Sequence, residues 1–498
     1  MDKERVSGYI VRFIVSEREY AKVAERVSCK YLPRKEVVKD SGAPFPHRFV
    51  RKQTRLFVKV YVVLAAINGV SKLGRVVAER RGKAATTREV GIPAARIALS
   101  ITSISALYRV AYALLDKLHM RQDTGKKREK VCRLLVPAVS GLIAGAAYGV
   151  YPKEAARGYI GLIVASKAAE FIYNYLDDEG YLEFKPRLLG SWALFPLSLS
   201  QLYYTFIFHP DCCPKTVSSI LFRLSDGYIP DAPTSFSSTD HWPSPEEVVS
   251  SVAEISRQRY PAFESPILFP DTFRVPEGLE SIEPVISMAH PAITTLTGAL
   301  MHPYQRSEFR TYLELILRKM SSVSKYVFAA YAISGLLRSK GQGVGGRLGS
   351  LATSLGYSIR TTIFIVMTAA SAWSGVGVMQ KLLGRNMLPL YRYRVIGFMA
   401  GLWAFVDQVN GHARYMYAAR LAVLSYWNTL VKQGRVKPLP YGDVALFAFS
   451  FSILMTLLDH APGSISGPTF RKALSWIKSD QSTDPCDDSN DKSKVKLQ

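Results

Sequence analysis

His209, Asp211, Cys212 and Cys213 crowd into FHPDCCPK (208–215), between Pro210 and Pro214. Imidazole, carboxylate and thiolate are zinc ligands, and paired thiols carry redox chemistry. A structural zinc site needs about four ligands, commonly with Cys-x-x-Cys spacing, and adjacent cysteines close poorly on one ion. Cys29, Cys132 and Cys486, the other cysteines, offer no companion spacing. The stretch reads better as the exit of an apolar helix. His209 and Asp211 mark the polar boundary, and Pro210 and Pro214 end the helix. LLDHAPGSISGP (457–468) repeats the break without either cysteine. GQGVGGRLGS (341–350) has no Gly-Lys-Ser/Thr, so it reads as a hinge, not a phosphate loop. No Ser/His/Asp, acyltransferase-type His-x4-Asp or zinc-protease pattern stands out. We expect no enzyme, no catalytic residue, no metal and no cofactor.

Charges inside apolar helices are the sharper hint. Lys167 and Glu170 lie three apart on one helix face and can pair, and Arg420 takes the corresponding place in a later helix. Arg109 and Arg360 interrupt two more apolar stretches, and Asp407 and Asp459 fall at the ends of others. A charge at the bilayer centre costs at least about 2.5–3.5 kcal/mol, so it normally faces a partner or water. A polar cavity for an anionic or amphipathic solute is one reading; structural ion pairs and snorkelling side chains are the other.

These residues sit on elements of membrane-spanning character. Leu134–Pro152, Leu188–Phe208 and Thr361–Gln380 are neutral runs near the roughly 20 residues that a crossing helix needs. Mean hydropathy is +0.06, high for a soluble chain. The net charge of +24 lies mostly in segments flanking apolar runs, such as 30–55 and 117–133. Lys and Arg placed there set topology or meet anionic lipid, so the expected partners are membrane lipids and not nucleic acid. The N-terminus lacks an apolar core and carries Glu4, Glu17, Glu19 and Glu25, which fits neither a secretory signal nor a mitochondrial presequence.

The elements recur at a spacing of about 250–266 residues. VYVVLAAINGV (60–70) pairs with YVFAAYAISGL (326–336). The helix around 96–115 pairs with one near 350–380. Gly141 and Gly145 pair with Gly397 and Gly401, and Gly149 extends the first Gly face. Small residues at that spacing let helix backbones approach closely in lipid. The seam could join the halves, join subunits, or be close packing inside one bundle. Gly180 and Gly434 follow the next helix pair and suit left-handed helix ends. The aromatic helix before His209 pairs with the one before Ala461, and KTVSSILFRLS (215–225) with TFRKALSWIKS (469–479). Residues 226–291 hold 10 of the 27 prolines and 11 acidic against 3 basic residues, which suggests an extended linker or lid.

The expected fold is an all-α polytopic membrane helix bundle of two homologous halves, with eight to ten spanning helices. Residues 1–54 form a basic amphipathic segment, 55–225 the first repeat, 226–294 the acidic Pro-rich linker, 295–479 the second repeat, and 480–498 a polar disordered tail. Five crossings per half would invert the halves relative to each other; four would leave them parallel.

The order of a Gly-x-x-x-Gly helix, an Ala-Ser-Lys167-Ala-Ala-Glu170 or Ala-Ala-Arg420-Leu-Ala helix, a glycine, an aromatic helix and an amphipathic stretch resembles the transmembrane protein 135 family. The resemblance covers residues 45–225 and 295–479. The Gly-x-x-x-Gly helix is also similar to the wider superfamily of mitochondrial inner-membrane translocases and a small peroxisomal membrane protein. The resemblance implies an integral protein of mitochondrial or peroxisomal membranes, tied to lipid metabolism and membrane dynamics. A homo-oligomer, a membrane-protein partner, a non-transporting scaffold and a translocase component stay open.

Overall fold

The computed structural model describes residues 45–80, 93–120, 126–153, 156–181, 190–230, 232–233, 242–270, 274–339 and 343–478. The basic segment before residue 45, Cys29, Cys486 and the tail from 480 lie outside them. Among the described residues the chain is all helical, with two isolated β-bridges, Asp226–Ile229 and Ala262–Thr295.

In chain order the α-helices are α1 (Phe45–Arg80), α2 (Ala94–Met120), α3 (Lys126–Ala146), α4 (Arg157–Asp178), α5 (Leu194–Phe208), α6 (Lys215–Ser225), α7 (Pro245–Arg257), α8 (Glu283–Ile286), α9 (Leu296–Met301), α10 (Glu308–Arg338), α11 (Val344–Leu383), α12 (Arg392–Gly401), α13 (His412–Lys432), α14 (Gly442–His460) and α15 (Pro468–Lys478). The boundary expected at residue 54 falls inside α1. Among the described residues four helices are long and apolar enough to cross a membrane: α1 over Phe49–Val70, α2 over Ala94–Leu118, α11 over Gly345–Leu383 and α14. The run Leu134–Val150 is a shorter apolar helix. The run 188–208 yields only the 15 residues of α5, of which 11 are buried, so its apolarity serves protein packing.

The chain divides into two compact units, Met1–Glu183 with Leu439–Gln498, and Phe184–Pro438. The repeat boundaries read from sequence are therefore not the boundaries of compact bodies. In the first unit α1 packs on α2, α2 on α3, and both α3 and α4 on α14, while α15 lies on α2. Its core joins Tyr108, Tyr148, Phe171, Phe447, Phe451 and Met455, with Tyr148 and Phe447 stacked at 3.9 Å. In the second unit α10 packs on α11, α11 on α12, and both α12 and α13 on α5, while α6 lies on α11. The packing order is the same in each. In both, the closing helix comes from the far half of the sequence.

The helix exits match in detail. α5 ends at His209 with φ −140° and ψ 64°, then a 3-10 turn runs over Pro210–Cys212 and Pro214 leads into α6. α14 ends at Ala461 with φ −138° and ψ 64°, then a 3-10 turn runs over Pro462–Ser464, ahead of α15. Proline in each turn pre-sets the backbone and forbids continuation. Gly180 (φ 77°) and Gly434 (φ 70°) end α4 and α13 in the left-handed region, with Tyr181 N–H returning to Leu176 O and Arg435 N–H to Leu430 O. That is the six-to-one bond of a Schellman end.

Residues 242–270 and 274–301 are not an extended linker. Ser244 caps α7, accepting from Glu247 N–H, while the Glu247 carboxylate accepts from Ser244 N–H. Pro245 falls in the first turn, where its missing N–H costs nothing. Val248, Val252 and Ile255 share one face, and they join Leu279, Ile282, Ile286 and Leu300 in the core built on Tyr203, Phe206, Trp373 and Tyr393. The prolines limit helix length, but enough apolar residues remain to pack.

The outward surfaces of the long helices are apolar. α1 is the clearest: Tyr61, Val62, Val63, Ile67 and Val70 are exposed, Val70 by 71%. Leu99, Leu107, Val110 and Leu114 on α2 do the same, and Tyr326, Phe328, Ile333 and Leu337 on α10. Apolar side chains exposed along whole helices mark a surface that meets lipid or another protein.

Candidate functional site

A polar cluster among the long helices lies in the second unit. After α12 the chain tightens into a 3-10 stretch, Leu402–Asp407, and turns at Gly411 into α13. Gly411 is required there: a Cβ would sit 2.0 Å from the Tyr415 ring, whose hydroxyl donates to Ala404 O at 2.7 Å. This turn points the Asp407 side chain inward, where it is fully buried. Its Oδ2 accepts from Thr361 Oγ1 of α11 at 3.1 Å and from Arg414 Nη2 of α13. Arg414 Nη1 donates to Tyr331 Oη of α10 at 2.9 Å, and Tyr331 and Thr361 share a hydrogen bond of 3.1 Å. Four elements thus converge on one ion pair. The pairing is incomplete: Asp407 Oδ1, Asn410 Nδ2 and Arg414 Nε are buried without a partner. The cluster holds spare donors and a spare acceptor, so it can bind a polar group or water.

Among the residues expected from sequence, Lys167 and Glu170 form their pair on α4 at 2.7 Å, and Glu170 also accepts from Ser466 Oγ at 3.3 Å. Arg109 does not meet them. Its guanidinium caps α15, donating to Ile477 O at 2.9 Å and Trp476 O at 2.8 Å. Arg360 is exposed on α11, next to Thr361, and Arg420 is half-buried on α13, more than a turn beyond Arg414. Asp459 pairs with Lys478 at 2.7 Å. Sequence reasoning missed Arg414, Tyr331 and Thr361, and also Arg157, which is buried at the start of α4 and paired with Asp443. The available signal was Asp407 at a helix end with Arg414 seven residues on.

The glycine seam is resolved. Gly141 and Gly145 of α3 face α14, with Cβ positions 2.7 Å from Ser452 Cα and 2.4 Å from Ala448 Cα. Gly397 and Gly401 of α12 face α5, with Cβ positions 2.7 Å from Leu199 O and 2.4 Å from Pro196 Cα. Each seam joins sequence halves and lies inside one unit. Gly149 has nothing within 4 Å and falls in the 3-10 turn after α3, off the seam.

Cys212 and Cys213 are free and buried. Burial pushes the Cys213 thiol up to about 12, which disfavours a thiolate at neutral pH. Among the described residues no group of three His, Cys, Asp or Glu side chains could hold a metal ion. Comparison with protein-family models, characterised proteins and solved structures gives no match to this chain.

Proposed function

We propose that the protein is an integral membrane protein of the transmembrane protein 135 type, built by duplication of one helical unit, which moves an amphipathic or anionic lipid or solute across or along its bilayer. The observation that carries the reading is the Asp407–Arg414–Tyr331–Thr361 cluster, an under-satisfied polar site with a fully buried carboxylate, among helices whose outer faces carry exposed apolar residues. Ionisable residues inside a membrane mark solute and ion paths, and a buried ion pair is a weak source of stability. The matching packing order and helix exits support the duplication. The mitochondrial or peroxisomal location rests on the family resemblance.

Two measurements test it. The protein should stay in the membrane pellet after alkaline carbonate extraction; release into the supernatant overturns the membrane reading. In reconstituted vesicles, Asp407→Asn should cut flux at least tenfold with folding retained, since it keeps the shape and removes the charge. Unchanged flux would turn the cluster into a structural pair.

A non-transporting scaffold is the second reading. It draws on α15, where Trp476 is 62% exposed beside the basic Lys472. Flux indifferent to Asp407, with a membrane partner lost on Trp476→Ala, would favour it.

A further inference from the structure

The end of α5 gathers positive charge from three other elements. Arg394, in the first turn of α12, lies over the Tyr204 ring at 4.2 Å and donates through Nη1 to Gln201 Oε1 at 2.8 Å. Tyr204 in turn lies 5.8 Å from the His209 ring. Lys432, in the last turn of α13, reaches Asp211 Oδ2 at 2.8 Å. Arg257, in the last turn of α7, donates to Phe208 O at 3.5 Å and to Glu254 Oε2 at 3.1 Å.

Two carboxylates, the exposed Asp211 and the half-buried Glu254, answer three cations, and Arg394 has none. Two donors here also lack an acceptor. Gln201 is only 6% exposed, yet its Nε2 is unpartnered, and Arg394 Nε is unpartnered as well. A group that satisfies these donors accepts hydrogen bonds and carries negative charge. Two guanidinium forks and an ammonium are the groups that bind phosphate oxygens, the forks through paired N–H donors and the ammonium as a point charge.

The position narrows the choice further. The cluster stands where an apolar helix ends and amphipathic α6 begins, the level at which lipid head groups lie if the membrane reading holds. We propose that Arg394, Lys432, Arg257 and the Gln201 amide form a receptor for a phosphate group, carried by an anionic phospholipid head group or by a soluble phosphate ester. His209 reports on its occupancy. Burial, followed by Lys432, Arg257 and Arg394, holds the imidazole below its ordinary range, and Asp211 alone opposes them. A bound phosphate cancels the cations and lifts it.

The test uses the full chain in a neutral detergent, titrated with phosphatidic acid and with phosphatidylcholine. Phosphatidic acid should bind at least tenfold more tightly. Each neutralised cation should cost about fivefold, at about 1 kcal/mol per basic residue. R394Q/K432Q/R257Q should then lose about a hundredfold, and Arg310→Gln, an exposed residue elsewhere in the unit, nothing. K432Q alone changes only an exposed side chain, so it tests the site even if the triple variant misfolds. The His209 titration, followed by NMR of labelled histidine, should move up with phosphatidic acid and stay fixed with phosphatidylcholine. Glycerol phosphate that displaces the lipid identifies a soluble ester as the ligand; failure to displace identifies the head group. Equal binding of the two lipids, or phosphatidic acid affinity unchanged in K432Q and the triple variant, overturns the site. Carbonate extraction is read separately, so a failure of the membrane reading is distinguishable from a failure of this one.

Discussion

Arg414→Met should lower the stability of the detergent-solubilised protein by about 3 kcal/mol, whereas D407N/R414Q should stay within about 1 kcal/mol of the parent. The asymmetry follows from burial. Removing one partner of a buried ion pair strands the other charge, at a cost of about 3–5 kcal/mol, while neutralising both is often harmless. The lower end applies because the Arg414 side chain is 36% exposed and the Asp407 side chain fully buried. The remaining polar partners, Thr361 and Tyr331, can hydrogen-bond a neutral amide as well as a carboxylate. Thermal unfolding read by circular dichroism should show a fall of about 10 °C for the single variant, at roughly 2–4 °C per kcal/mol in a body of this size. Equal losses in the single and double variants would mean that hydrogen bonding, not charge, holds the cluster.

The second large effect belongs to the glycine seams. Gly145→Ala should destabilise by about 3 kcal/mol, Gly401→Ala by a similar amount, and Gly149→Ala by almost nothing. At Gly145 and Gly401 the added methyl would meet backbone atoms of the facing helix at 2.4 Å. Backbone cannot rotate away as a side chain can, so the helices must separate and surrender their packing. Gly149 faces open space. Unfolding midpoints of the three variants, compared side by side, check the order; a Gly149 variant as damaged as the others would remove the seam from the account.

Much of this was legible in the sequence because it is local. A glycine where α4 and α13 stop, a proline after His209 and Ala461, and glycines four apart on one face each describe a few consecutive residues. The pairing of Lys167 with Glu170 is local too. What sequence reasoning could not supply was the choice of partner across the chain. Periodicity says that α3 has a small-residue face; nothing in it says that the face receives α14 and not α5. Likewise Asp407 was visible as a charge at a helix end, but Tyr331 and Thr361 are ordinary residues until two other helices bring them to Arg414. The acidic proline-rich stretch misled for a related reason. Its proline count argued for extension, yet Pro245 sits where a helix begins and Val248, Val252 and Ile255 supply a face to bury.

The exchange of closing helices bears on how the chain is made. The ribosome releases α3 and α4 with their glycine and aromatic faces bare, and the helix that covers them, α14, emerges only after α5 to α13 have been made. α5, by contrast, is born long before α12 and α13 exist to receive it. Two sticky surfaces must therefore wait, each exposed to every wrong neighbour, until α12, α13 and α14 complete them. Such a protein depends on whatever guards its nascent helices, and either half expressed by itself is a bundle with its keystone missing.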